Sequence, residues 1–204
     1  MQILKPSKNL EGLAEILKDI ILGGKVIVLP TDTVYGLICD VRNPKAVKRI
    51  FEIKKRPKSK PIGVFVRDLK MAKRFSKINK ATEKFLEKSW PGKLTVILKR
   101  KGNLPKILFA NEKTIGLRIP DYKLIKLLFQ KIDFPLAQTS ANISEVPATT
   151  KTKEVLRQFE NQKIQPDLMV DFGNLKKSKP STVLNLSSNT QKILRKGDFA
   201  IKNN

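Results

Sequence analysis

The chain has 204 residues, 40% of them hydrophobic and 29% charged, and its 42 Lys+Arg outweigh 18 Asp+Glu to give a formal net charge of +24. This length and composition describe one packed domain over residues 1–204 rather than a disordered chain. With no histidine and a single cysteine, Cys39, the sequence excludes the usual general base at neutral pH, a Cys–His nucleophile pair, an internal disulfide and a cysteine-rich zinc site.

In chain order, Leu10, Leu13, Leu17, Ile20 and Ile21 recur at helical spacing and predict a helix over 9–22, stopped by Gly23 and Gly24. KVIVLP (25–30) is a short β-branched run, a buried strand. TDTVYGLICDV (31–41) follows as a polar turn that runs into apolar residues. Cys39 sits there as a small hydrophobe. Asn43-Pro44 opens a helix over 43–55 that carries Val47, Ile50 and Phe51 on one face. PIGVFV (61–66) is a strand, and helices are predicted over 68–76 and 79–90. PGKLTVILKR (91–100) and TIGLRIP (114–120) are strands, and DYKLIKLLFQKI (121–132) is an amphipathic helix. FPLAQTSAN (134–142) is a buried strand running into a polar turn. A helix near 151–160 and strands DLMVDF (167–172), STVLNL (181–186) and QKILRKG (191–197) complete the chain. Strands alternate with helices early and cluster late, which predicts an α/β fold around an open, twisted, mixed β-sheet with flanking helices. No apolar run is long enough to cross a bilayer, and the N-terminus lacks the layout of a secretory signal, so the chain reads as cytoplasmic.

Five stretches carry chemistry-bearing side chains. In KKRPKSKP (54–61) five cations stand with no acid, and Pro57 and Pro61 stiffen the loop. Lys54 and Arg56, two apart, would project to one side of an extended loop. A triphosphate, a nucleic-acid backbone and a solvated basic loop all fit this pattern. Thr31, Asp32, Thr33 and Tyr35 follow a strand at once. Asp32 could accept from an ammonium group or help hold Mg²⁺, or the stretch is an ordinary Pro-Thr-Asp turn. Gln138, Thr139, Ser140 and Asn142 offer four neutral hydrogen-bonding groups in five positions, to orient a ligand or cap a turn. Arg118 lies inside an apolar strand, so it pairs with one of the few acids or clamps a ligand carboxylate; the scarcity of acids favours the ligand. Ser181, Thr182 and Arg195 mark the ends of late strands. The net charge of +24 points either to a polyanionic partner or to lysines spread over solvated faces. There is no GxxxxGK[ST] loop, no GxGxxG fingerprint, and no aromatic platform for RNA stacking.

Read in order, LPTDTVYGL, KKRPKSKPI, WPGKLTVIL, TIGLRIPD, TSANIS, STVLNL and LRKGD resemble the YrdC/TsaC family of threonylcarbamoyl-AMP synthases over about residues 9–201. The resemblance implies an open α/β fold with a large basic cavity. It implies that L-threonine, bicarbonate and ATP give threonylcarbamoyl-AMP and pyrophosphate, with Mg²⁺ arriving on the ATP phosphates. The product would feed a separate transferase complex that modifies an adenosine of tRNA beside the anticodon. By the same resemblance Thr33, Arg118, Gln138 and Ser181 border threonine. Lys54, Arg56, Ser140 and Asn142 form the phosphate-positioning set, and Lys60, Thr114, Ala148 and Arg195 contact ATP, Ala148 by its backbone alone. Phe65 stands where some relatives carry histidine, Ala148 where many carry serine, and Glu145 where glycine is usual. Longer relatives cover the site with a second domain, so this short form implies shielding from elsewhere.

Two other functions fit parts of the sequence. One is a double-stranded RNA- or tRNA-binding or ribosome-maturation factor without this catalysis. The other is a carbamoyl-adenylate module like that of hydrogenase-maturation proteins, against which the missing acylphosphatase and zinc-finger segments argue.

Overall fold

The computed structural model describes residues 1–6, 8–110, 112–188 and 190–200; the matched stretch's final position, 201, lies outside them. Among the described residues ten strands form one sheet: β1 (Gln2–Leu4), β2 (Ile27–Leu29), β3 (Gly36–Asp40), β4 (Gly63–Phe65), β5 (Leu94–Lys99), β6 (Thr114–Arg118), β7 (Leu136–Ser140), β8 (Leu168–Val170), β9 (Thr182–Asn185) and β10 (Lys192–Arg195). Six α-helices accompany them: α1 (Leu10–Leu22), α2 (Pro44–Lys54), α3 (Leu69–Phe75), α4 (Lys80–Ser89), α5 (Lys123–Lys131) and α6 (Thr152–Phe159). The strand order is β1-β8-β2-β3-β7-β4-β6-β5-β9-β10. Pairs β1/β8, β2/β8, β4/β6 and β5/β9 run parallel and the other five antiparallel, so the sheet is mixed as expected.

Local chemistry sets the helix ends. The Asn43 side chain accepts from the backbone N–H groups of Lys45 and Ala46, and Pro44 occupies the first helical position of α2, where its missing N–H costs nothing. Gly24, at φ +74°, ends α1 in a conformation that side chains resist. Leu13, Leu17 and Ile21 of α1 are buried, and that helix packs on α5, whose Leu124, Ile125 and Leu128 are also buried. Among the described residues no helix is long and apolar enough to cross a membrane.

Two strands were not apparent in the sequence. β3 hides inside the stretch read as a turn, because Gly36 and Asp40 break its β pattern; all five of its residues are buried between β2 and β7. β1 has only three residues and depends on parallel pairing with β8, more than 160 positions away in the chain. Residues 106–109 form a short 3-10 helix that no sequence signal announced.

Alternation decides what faces the site. Along β6, Ile115 and Leu117 are buried on one face of the sheet, and Thr114, Gly116 and Arg118 share the other. Since α2 carries Lys54 to its place, its start matters. Asn43→Ala should lower the free energy of unfolding by about 1 kcal/mol, read as an earlier urea midpoint with an unchanged slope; an unchanged midpoint would refute the cap's contribution.

Candidate active site

The face of β6 that carries Arg118 opens into a cavity of about 270 Å³, lined by residues from β3, β4, β5, β6, β7 and β9, with Arg195 at the end of β10 and Arg56 after α2. Thr33, Arg56, Arg118, Gln138, Ser140, Ser181 and Arg195 all line it, so seven sequence-predicted residues from distant segments meet.

Arg118 is 3% exposed and arrives with its partners already chosen. Its Nε donates to the Gly92 carbonyl (2.9 Å), Nη1 to Thr33 Oγ1 (3.1 Å) and Nη2 to Asp32 Oδ1. Of the two partners the sequence offered, the acid is present: Arg118 pairs with Asp32. A guanidinium has five N–H donors, so the pairing leaves donors over, and Arg118 lines the cavity. Asp32 Oδ2 is buried and, among the described residues, has no hydrogen-bond partner. Asp32 therefore serves first as the counter-ion of Arg118. Thr33 is seated by Thr31, whose hydroxyl lies 3.0 Å from Thr33 Oγ1 and donates to the Val34 carbonyl.

Ser181 Oγ is 2.8 Å from Thr95 Oγ1, and Arg195 donates to both the carbonyl (3.0 Å) and the hydroxyl (3.1 Å) of Ser181. Arg56 donates to the Lys60 (3.0 Å) and Pro61 (2.8 Å) carbonyls, which folds the basic loop back on itself. Burial lowers the pKa of all three arginines, and the positive charges of Arg118 and Arg56 lower Arg195 further. Three cations thus share one hollow, and two of them depress the third.

Lys54 corrects the extended-loop reading. It is the last residue of α2, and Lys55 follows in the left-handed conformation at φ +50°, so Lys54 and Arg56 do not project side by side. Lys54 is 1% exposed and does not line the cavity. Its ammonium donates to Ser140 O (2.7 Å), Asn142 O (2.7 Å) and Asn142 Oδ1 (2.9 Å). Asn142 Oδ1 also accepts from the Ser140 hydroxyl, and its Nδ2 donates to the Ile143 (2.9 Å) and Val146 (2.6 Å) carbonyls. Lys54 and Asn142 thus hold Ser140 and the loop after it instead of facing the hollow. Burial, with Arg56 adding repulsion, pushes the Lys54 ammonium down to about 7.

Three expected nucleotide residues stand outside the cavity lining. Lys60 offers its carbonyl to Arg56, and its side chain is exposed. Thr114 shares the cavity face of β6 but sits beyond Gly116, opposite Lys99. Ala148 is half-buried in the loop after Val146. Phe65 lines the cavity with its ring 5.7 Å from the Arg118 guanidinium carbon, so this departure places an aromatic face beside the cation. Glu145, at φ +73°, occupies the left-handed turn position that glycine fills without strain. Sequence reasoning missed Thr95 and the glycines Gly36, Gly63 and Gly116, all of which line the cavity; period-two alternation along their strands was the available signal.

The fold and site define a class: an open mixed-sheet α/β protein with a basic, hydroxyl-lined cavity. Residues 19–197 match the Sua5/YciO/YrdC family model, described as telomere recombination. A Methanocaldococcus jannaschii relative is 38% identical over 192 residues, covering 92% of this chain and 87% of that protein. A Pyrococcus abyssi relative named threonylcarbamoyl-AMP synthase is 31% identical over 88% of this chain, and a Bacillus subtilis relative of the same name 33% over 85%; this chain spans about half of each, 52% and 50%. Among solved structures, P. abyssi Sua5 complexed with L-threonine superposes with a TM-score of 0.86 at 29% identity, covering 96% of this chain and 57% of that one. E. coli YciO superposes with a TM-score of 0.87 at 27% identity, over 98% of this chain and 97% of that one. The chain belongs to the Sua5/YciO/YrdC family.

The lysine makes a prediction. Lys54 loses its proton as pH rises through about 7, and an incoming polyanion favours its charged form. ATP binding at about pH 8, roughly a unit above the Lys54 value, should therefore take up protons. Calorimetry in buffers of different ionisation enthalpy reads this. Uptake that persists in Lys54→Met would contradict the assignment.

Proposed function

We propose that this chain is an L-threonylcarbamoyladenylate synthase, joining L-threonine, bicarbonate and ATP into threonylcarbamoyl-AMP with release of pyrophosphate. The observation that carries the reading is the convergence of Arg56, Arg118 and Arg195 on one hollow whose remaining polar lining is hydroxyls and an amide. The names of the Pyrococcus and Bacillus relatives and the L-threonine complex of P. abyssi Sua5 support it.

The chemistry suits these side chains. The neutral amine of threonine attacks the carbon of bicarbonate, water leaves, and a carbamate forms. A carbamate oxygen then attacks the α-phosphorus of ATP; the bond to the bridging oxygen breaks, and pyrophosphate departs with that electron pair. No protein nucleophile is needed, so the absence of histidine is no obstacle. Alignment and fixed cations facing developing negative charge supply the catalysis. Arg118, Thr33, Gln138 and Ser181 would hold the amino acid. Arg56, Ser140 and Arg195 would face the nucleotide, with Lys60, Thr114 and Ala148 further along it. Lys54 and Asn142 would fix the loop that presents Ser140.

Mg²⁺ would travel with the ATP phosphates and offset their charge. Among the described residues no three His, Cys, Asp or Glu side chains group together, which fits a cation held through phosphate oxygens and water rather than one chelated by the chain. The product, a mixed anhydride, would pass to a transferase complex acting on tRNA, and the reading takes the reaction to be cytoplasmic. The net charge of +24 favours a direct tRNA contact as a second reading; it requires salt-sensitive RNA affinity that saturating ATP leaves undisturbed.

The test is pyrophosphate release by purified protein with ATP, bicarbonate and each amino acid in turn. Release should depend on threonine, and Arg56→Ala should lower the rate by roughly 100-fold while the melting temperature holds. Release that is indifferent to threonine would refute the reading.

A further inference from the structure

We propose that Gly116 leaves open the space in which the new bond forms, so that the lack of a side chain there is a demand of the ligand and not of the fold. This rests on the reading above, which it deepens.

Glycine is disfavoured inside a strand, where it adds chain entropy and packs nothing, so an internal glycine calls for a cause. For others in this chain the fold supplies one. Gly24, Gly102 and Gly173 adopt positive φ. At Gly63 an added Cβ would stand 2.7 Å from Gln138 Nε2, so that glycine lets Gln138 lie across β4. Gly116 has neither reason. Its φ is not positive, and an added Cβ would meet Thr95 Cγ2 at 3.7 Å and Gly63 Cα at 4.0 Å, both ordinary contacts. The protein has room for a methyl group at 116. What that methyl would enter is the cavity, which Gly116 lines.

The register says which part of the cavity. Phe65 pairs with Arg118 and Val64 with Leu117, so Gly63 and Gly116 lie side by side; on the other flank Ile97 pairs with Gly116 and Lys99 with Thr114. Same-face positions of a strand lie about 6.6 Å apart. Walking along β6 from Arg118, one passes Gly116 and then reaches Thr114. The Arg118 end holds Thr33. On β7, which pairs with β4, Gln138 lies level with Gly63, and Ser140, held through Lys54, lies one same-face step further on. An amino acid gripped at Arg118 and a nucleotide gripped at Ser140 must meet over the Gly63–Gly116 floor. The carbamate oxygen and the α-phosphorus come into bonding distance there, where a phosphoryl centre changing geometry needs the most clearance.

Gly116→Ala and Gly116→Val in the full chain test this. Both should melt at or above the wild-type temperature, because Ala and Val suit a strand better than Gly. Threonine binding alone, by calorimetry, should stay within about twofold, as Arg118, which would grip its carboxylate, lies a same-face step away and the added methyl meets Thr95 only at ordinary contact distance. The catalytic efficiency kcat/KM should fall roughly tenfold to 100-fold for Ala and below detection for Val. An active wild type beside an Ala variant of equal efficiency overturns this inference and leaves the functional reading standing. Variants that melt several degrees lower also overturn it, since the fold would then require the glycine. A wild type without threonine-dependent turnover overturns the reading and the inference together.

Discussion

At the last turn of α2 the chain turns a lysine inward, where burial opposes its charge, and surrounds the ammonium with three oxygens from Ser140 and Asn142. Each unpaired buried acceptor costs about 1–3 kcal/mol, so the lysine and the 140–142 backbone hold one another in place. Three further features follow from that contact. Ser140 faces the cavity. Asn142 is oriented to tie down the loop as far as Val146. Arg56, two residues beyond Lys54, emerges at the rim. One buried cation thus joins the end of a helix to the end of a central strand 86 positions later.

The rest of the site is a matter of charge held apart from its usual partners. Among the described residues Asp32 is the one acid paired with a cavity arginine, and that arginine is Arg118. Arg56 and Arg195 lean on backbone carbonyls instead, which orient a guanidinium without cancelling its charge. Arg118 and Arg56 therefore press on Arg195, and an anion bound among them would relieve that repulsion and link its binding to folding stability. Hydroxyls do the finer positioning. Thr31 seats Thr33, and Thr95 with Arg195 seats Ser181, so that this part of the cavity is set by neutral groups and one ion pair.

Much of this could be read along the chain. The helices were legible because their caps are local, as with Asn43-Pro44 and Gly23-Gly24, and most strands because β-branched runs sit between turn residues. β1 and β3 were not, since one depends on a partner at the far end of the chain and the other is broken by glycine and aspartate. Among site residues, Thr33, Arg118, Gln138, Ser140 and Ser181 could be named from the ordered motifs. The sequence misjudged Lys54, because a helix end and an extended loop look alike in KKRPKSKP. It could not show that Asp32, 86 positions away, pairs with Arg118, a pairing that leaves the cavity-lining guanidinium with donors to spare. Gly116 escaped notice because what matters there is space, and space is visible only once β4, β5 and β6 lie side by side.

The most direct test of the account is a crystal structure of this chain with threonine and a non-hydrolysable ATP analogue. The account predicts the threonine carboxylate on Arg118, the phosphates between Arg56, Ser140 and Arg195, and the α-phosphorus above Gly116, with Lys54 still directed at Ser140 and Asn142. Phosphates bound outside this hollow, or a Lys54 ammonium swung out to meet them, would contradict it.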